Sequence, residues 1–398
     1  MEHYTTIFKQ MLMMIPWGEF SEEAKKEGYN RYTKHFTVKN QFITILYAQF
    51  SDKKSLRDLE TGLKVQYRDW NHLGLKNVSR SQLSYVNKRR SYKIFRNLYN
   101  QVYERCVSIA PRQRFRFKNR LQLMDSTLIE MCASVFPWAE YKQQKGALKI
   151  HTLLDERGTI PSFVVMSPGK EADITIAKES NLPLFPDSIL VMDRGYTDFE
   201  WFNDLDKQGI YFVTRAKENL KYRHTKQSIK WHKIKTVNDL TITLTGTKTK
   251  EKYPHSLRLI KIINKGKKKR GEEGEETEEL KLLTNNFKLA ASTIAQIYKS
   301  RWDIELFFKW IKQNLKIKTF LGTSENAVLT QIWIALIYYL LLAYIKFQTR
   351  YKFSLLHLSR VIREGLFKKI HLIDILNINP KSLKKTREPC QQRILIEV

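Results

Sequence analysis

The chain is expected to be an α/β protein: a mixed sheet flanked by helices, with a β-rich insertion and an all-helical region in front. Three observations predict this. Apolar residues recur at three- and four-residue spacing through roughly the first 110 positions. Between about 121 and 216, short apolar runs rich in β-branched residues are bounded by turn formers and then alternate with helix-like segments. From 217 to 288 the helical period disappears and strand-like runs take over.

Residues 1–70 read as a small helical domain, interrupted near Gly28, with no residue that suggests chemistry. Residues 71–120 read as a basic helical DNA-binding region. From Lys76 to Arg120 there are thirteen Lys or Arg and a single acid, Glu104. Ser79 is a fitting N-cap for a helix running on through Cys106. A shorter helix, SLRDLETGL, and a turn at Gly74 precede it. Helix, turn and basic helix resemble a helix-turn-helix, which would bring Arg80, Lys88, Arg89, Arg90 and Lys93 to phosphates.

The first part of the α/β core is expected at 121–216. LQLMDSTLI, ALKIHTLLDERG and TIPSFVVMS form three strands, the last two joined at Gly158 as a hairpin. Helix-like ADITIAKES starts at Asp173. It is followed by the strand DSILVMDRGY, the helix DFEWFNDLDKQG and the strand IYFVTRA. In the insertion, 217–288, TITLTG, LRLIKIIN and ELKLLTN read as antiparallel strands, and KGKKKRGEEGEETEE reads as a solvated hairpin tip. The second part of the core, 289–345, holds one long helix, YKSRWDIELFFKWIKQNLK, and an uncharged apolar run, Ile332 to Ile345, read as a buried helix. Residues 346–398 form a basic, poorly patterned tail.

Composition narrows the partners. Lys and Arg number 70 against 40 Asp and Glu, a formal charge of +30, so a polyanion, above all nucleic acid, is the natural partner. Three widely spaced cysteines, Cys106, Cys132 and Cys390, offer no zinc spacing or disulfide framework and fit a reducing compartment. The N-terminus lacks the apolar core of a signal peptide, and no membrane partner is expected.

The chemistry concentrates in three acids. Asp125 in QLMDST and Asp193 in LVMDRG both follow apolar strand residues, where the active sites of α/β sheets collect. A lone buried carboxylate is costly, so each needs a partner or a cation. Glu305 lies on the long helix with Tyr298, Arg301 and Lys312. Offsets of 0, 3, 7 and 14 place those four side chains within an arc of roughly 60° on an unbroken helix. Ile294, Ile297, Ile304, Phe307, Phe308, Ile311 and Leu315 form an apolar face beside them. A solvated charged face would give the same stripe, and a salt bridge with Arg194 or Arg301 would account for any one acid alone. Three converging carboxylates are hard-oxygen ligands for Mg²⁺, and two such ions serve phosphodiester chemistry.

These residues resemble the insertion-sequence DDE transposases of the YREK class, the IS-four type. The signature Tyr, two residues, Arg, three residues, Glu, six residues, Lys is matched by Tyr298, Arg301, Glu305 and Lys312. MDST at Asp125 and MDRGY at Asp193 match the two aspartate motifs, and Thr284 to Asn286 also looks familial. The resemblance covers roughly residues 35–345, and the first 70 residues resemble an N-terminal domain of unassigned function. It implies a ribonuclease-H-like core in which Asp125, Asp193 and Glu305 hold two Mg²⁺ or Mn²⁺ ions. It also implies that Tyr298, Arg301 and Lys312 touch phosphates at a transposon end. Asp193 and Glu305 stand 112 residues apart, whereas one strand-helix-strand step needs only about 30, and the strand-rich insertion fills the surplus. The implied activity is cut-and-paste transposition on double-stranded DNA, at terminal inverted repeats and target, by a homodimer in a synaptic complex, in the cytoplasm and on the nucleoid. A catalytically inactive repressor or architectural DNA-binding protein, and a ribonuclease-H-like nuclease without strand transfer, are the alternatives. The presence of all three acids weighs against the inactive protein.

Overall fold

A computed structural model describes residues 5–31, 33, 35–75, 78–132, 134–142, 145–232, 235–265, 277–314 and 320–378. Of the hairpin tip expected at 265–279, Lys265 and Thr277 to Glu279 belong to paired strands instead. The remainder, 266–276, lies outside the described residues, as do Leu315 and the tail beyond 378. In chain order, helices α1 (Ile7–Met13), α2 (Trp17–Lys26), α3 (Val38–Phe50), α4 (Leu56–Val65), α5 (Arg80–Arg89) and α6 (Lys93–Ser108) come first. Next are β1 (Leu121–Cys132), β2 (Glu140–Lys142), β3 (Lys145–Asp155), β4 (Ile160–Pro168), α7 (Asp173–Glu179), β5 (Ile189–Met192), α8 (Phe199–Lys207) and β6 (Tyr211–Arg215). Then come β7 (Tyr222–His232), β8 (Lys235–Leu244), α9 (Thr247–Lys252), β9 (Leu257–Lys265) and β10 (Thr277–Thr284). The chain continues through α10 (Ala291–Ser300), α11 (Trp302–Asn314), α12 (Glu325–Thr349), α13 (Leu355–Gly365) and α14 (Leu372–Ile375).

The chain divides into two compact units, residues 1–112, 129–147 and 309–398 in one, 113–128 and 148–308 in the other. The first is built around α12, which packs on α3, α5, α6 and α13. Twenty-five residues long and apolar, α12 has the length and composition to cross a membrane, yet its apolar window is wholly buried in this unit. Tyr99 of α6 meets Trp333 edge-on at 5.2 Å, and Phe50 of α3 meets Tyr338 at 4.5 Å. The Tyr338 hydroxyl, buried, lies 2.6 Å from Ser359 Oγ on α13, so even its polar tip is satisfied.

Two sequence expectations change here. The helix expected from Ser79 to Cys106 is two helices. Ser79 does cap α5, its side chain accepting from Gln82 N. Arg90 then turns extended, at ψ 124°. Asn326 of α12 holds the break: its Nδ2 donates to Asn87 O at 2.8 Å and to Arg90 O, and its Oδ1 accepts from Tyr92 N at 2.9 Å. The stretch expected to be a poorly patterned tail is ordered as far as residue 378. Leu358 and Ile362 of α13 are fully buried, and Ile7 N and Phe8 N donate to Lys368 O and Leu366 O.

The second unit is one sheet with helices. Strand order runs β3-β1-β5-β6-β10-β9-β8-β7, with β4 on the far side of β3, while β2 pairs with the first residues of β3. β5 is parallel to both β1 and β6, and β10 joins β6 antiparallel. This is the mixed α/β sheet expected of a ribonuclease-H-like core, and the insertion strands β7–β10 extend the same sheet. All four residues of β5 are buried, as a parallel strand covered on both faces requires. Phe202 of α8 stacks on Phe212 of β6 at 4.2 Å within a core that includes Met124, Leu190, Met192 and Tyr196. The sequence reading missed β7: YRHTKQSIKWH carries too many cations to show strand alternation.

Candidate active site

Registration of the parallel strands builds the site. Met124 of β1 pairs with Met192 of β5. The next residue on each strand is the acid, so Asp125 and Asp193 emerge side by side where β5 ends. Strands so paired lie about 4.8 Å apart, close enough for the two carboxylates to repel. Each is fixed locally. Asp125 Oδ1 accepts from Ser126 N at 2.8 Å. Asp193 caps a single 3₁₀ turn, its Oδ1 accepting from Gly195 N at 2.6 Å, while its carbonyl accepts from Thr214 Oγ1 at 2.9 Å. A Cβ on Gly195 would stand 2.9 Å from Asp193 Oδ1, so the glycine of MDRGY is needed for the carboxylate to approach its own turn.

Glu305 reaches the site through Arg301. The Arg301 guanidinium donates to Glu305 Oε1 at 2.5 Å and lies 3.6 Å from Asp125 Oδ2, bridging the two acids. The segment is not the single helix its sequence predicts. Arg301 is the hinge residue between α10 and α11, with i to i−3 bonds from Arg301 N to Tyr298 O and from Ile304 N to Arg301 O. The Ser300 hydroxyl bonds Ile297 O at 2.6 Å, taking the carbonyl that an unbroken helix would give to Arg301 N. The apolar face is placed as expected: Ile294, Ile297, Ile304, Phe307, Phe308 and Ile311 are all buried. Tyr298 stays beside Arg301, whose guanidinium carbon lies 5.9 Å from the ring centroid. Lys312 sits half-buried on the last turn of α11, in the other compact unit.

The electrostatics show strain around Asp125. Burial pushes its carboxyl up to about 6; Ser126 N–H and Arg301 pull it down, and the Asp193 and Asp173 carboxylates push it up again. A cation would relieve that arrangement. Among the described residues, no three His, Cys, Asp or Glu gather closely enough to hold a metal ion. The guanidinium of Arg301 holds two of the three acids instead. The donor set nevertheless fits a hard divalent ion, because Asp125 and Asp193 adjoin, Glu305 is one side chain away, and all are oxygen ligands.

Sequence reasoning missed three participants. Arg114 ties the chain entering β1 to the helix that carries Glu305: its Nε donates to buried Glu156 at 2.5 Å and its Nη2 to Asp303. Burial raises the Tyr298 pKa, and Arg215, at the end of β6, lies near enough to offset part of that rise, as Arg301 does. Asp173, read only as a helix start, accepts from Ser126 Oγ at 2.7 Å. Partners 47 or 189 residues away leave no local signal in the sequence.

Of the basic residues expected at phosphates, Arg80, Lys88, Arg89 and Lys93 are exposed. Arg90 is not available for that role. Its guanidinium donates to Phe36 O and to Gln41 Oε1, and burial lowers its pKa to about 10.

Residues 116–341, more than half of the chain, match the family described as Transposase DDE domain, and residues 3–76 match a Domain of unknown function (DUF4372). The chain therefore belongs to the DDE transposases, enzymes that act on DNA and depend on divalent metal. It is 28% identical over 355 residues to the probable transposase of insertion sequence element IS5377 from Geobacillus stearothermophilus, spanning 88% of this chain and 87% of that one. A shorter stretch of 126 residues, 31% of this chain and 26% of the relative, is 28% identical to the transposase of insertion sequence element IS231E from Bacillus thuringiensis subsp. finitimus. A piggyBac transposase synaptic complex with hairpin DNA aligns over 98% of this chain and 84% of that chain at 11% identity, with a TM-score of 0.44.

Proposed function

We propose that this transposase is of the YREK class and works by cut-and-paste, with Asp125, Asp193 and Glu305 as its metal-holding acids. One observation carries the reading. Asp125 and Asp193 leave adjoining parallel strands at the same register, and Arg301 links Asp125 to Glu305.

Bound there, two Mg²⁺ or Mn²⁺ ions would activate an attacking hydroxyl and stabilise the leaving oxygen. The chain's own residues orient and balance charge. Ser126 N–H and Gly195 N–H hold Oδ1 of Asp125 and of Asp193, while Asp125 Oδ2 faces the Arg301 guanidinium, whose place a divalent ion would take. Arg301 neutralises the acids while DNA is absent, then presents its fork to a phosphate. Tyr298 beside it adds a hydroxyl for that phosphate, and Lys312 on α11 supplies a point charge for DNA backbone. Arg80, Lys88, Arg89 and Lys93 hold DNA phosphates without reading bases.

The substrate is double-stranded DNA, first the terminal inverted repeats and then the target, with a homodimer pairing two ends in a synaptic complex. The working location is the cytoplasm, on the nucleoid. A labelled terminal-repeat duplex incubated with Mg²⁺ should be cut at the transposon end and joined to plasmid. Asp125→Ala should abolish both steps while leaving binding intact. Protein that binds ends tightly but never cuts them would end the enzymatic reading of these acids.

A further inference from the structure

Beside Asp125 lies a second polar cluster that the proposed reaction does not use. Asp173, first residue of α7, draws donors from two strands. Ser126 Oγ on β1 lies 2.7 Å from Asp173 Oδ1, Lys149 Nζ on β3 lies 3.1 Å away, and His151 Nδ1, also on β3, lies 3.6 Å away. Lys149 and His151 are two apart on one strand and so share a face. Lys149 is further fixed by donating to Glu171 O at 2.6 Å, and His151 Nε2 lies 2.9 Å from Ser167 Oγ.

Lys149 and His151 are buried, and burying polar groups is costly unless they are paired, as Lys149 is with Asp173 and Glu171 O and His151 Nε2 is with Ser167. His151 is 2% exposed, and its Nδ1 makes no hydrogen bond. Burial lowers its pKa to about 4, which leaves the ring neutral near pH 7 and makes Lys149 the cation that balances Asp173. What the cluster holds is Ser126. That residue faces both ways, with its hydroxyl on Asp173 Oδ1 and its backbone N–H on Asp125 Oδ1.

We propose that Asp173 is a positioning residue for Asp125, acting through Ser126 and backed by Lys149, so that the Asp125 carboxylate stands ready for a divalent ion. The inference rests on the assignment of Asp125, Asp193 and Glu305 as the metal-holding acids. A helix-starting Asp would do nothing for the metal, and that difference is measurable.

The test titrates Mn²⁺ into the full-length protein by electron paramagnetic resonance. In parallel, single-turnover cleavage of a terminal-repeat duplex is followed against Mg²⁺ concentration. Asp173→Ala should raise the half-saturating metal concentration about 10–100-fold in both readouts, the range for residues behind metal ligands. Ser126→Ala, which deletes only a hydroxyl, should do the same without moving the thermal midpoint. The double variant should be no worse than either single one, because both act along one path. Asp173→Asn keeps the acceptor for Ser126 and should recover most of the loss.

Titration curves for Asp173→Ala that coincide with wild type, or single effects that multiply in the double variant, would overturn the proposal. Loss of metal affinity in Asp173→Asn as large as in Asp173→Ala would overturn the route through Ser126. Wild-type protein whose Mn²⁺ binding is untouched by Asp125→Asn would remove the assignment of the acids, and this inference with it.

Discussion

Asp125 is the residue in the least comfortable position. Its carboxyl is raised from 3.8 to about 6, chiefly by burial. Between those pH values the folded protein keeps a proton that the unfolded chain has released, so stability falls as pH rises from about 4 to about 6 and stays low above that. Asp125→Asn should therefore stabilise the metal-free protein at pH 7.5, by about 1–3 kcal/mol. Near pH 4 the variant and the parent should melt together, and thermal melts at both pH values check the sign. Metal binding must expel the same proton, so the Mn²⁺ affinity of the parent should weaken below pH 6. At this scale the sequence was readable in one respect: an acid after a buried apolar run marked both Asp125 and Asp193. It was silent on Arg114, read Asp173 only as a helix start and wrongly gave Arg90 to phosphates, because the partners of all three lie far away in the chain.

Among the elements, the strands nearest the second half of the site are held by Arg258 of β9. Its Nε and Nη2 grip both oxygens of Asp239 on β8 at 2.8 and 2.6 Å. Its Nη1 donates to Asn286 O at 3.0 Å and to Leu289 O at 2.5 Å, just ahead of α10. One nearly buried guanidinium therefore joins two insertion strands to the turn that launches the Tyr298–Arg301 segment. Arg258→Met should leave Asp239 without its partner and cost about 3–5 kcal/mol, read as a lowered urea midpoint. Strand and helix type followed directly from periodicity for β1, β3–β6, α7 and α8. Breaks within helices did not, because a three-residue bond at Arg301 or an asparagine from α12 at Arg90 leaves the apolar spacing unchanged. The α13 segment LLHLSRVIREG, with Leu358 and Ile362 on one face, was passed over as part of a poorly patterned tail because the cations around it hid its spacing.

Across the whole molecule, the excess of positive charge, +30, dominates. Affinity for a terminal-repeat duplex should fall steeply with salt. Replacing Arg80, Lys88, Arg89 and Lys93 together by Gln should make the log–log salt slope shallower by about 3–4, at roughly 0.9 per phosphate contact. An unchanged slope would move the DNA contact elsewhere; filter binding between 50 and 200 mM salt, at about a decade of affinity per few contacts, measures it. The order of the chain matters at this scale too. α3, α5 and α6 form the seat of α12, yet the entire second unit is synthesised between α6 and α12. At ribosomal speeds of about 5–20 residues per second, that seat waits about 10–40 s for its occupant. A ribosome that stopped early would release a product with a greasy cleft open to chaperones and proteases, so fragments of this enzyme should be short-lived, leaving only finished chains to reach DNA.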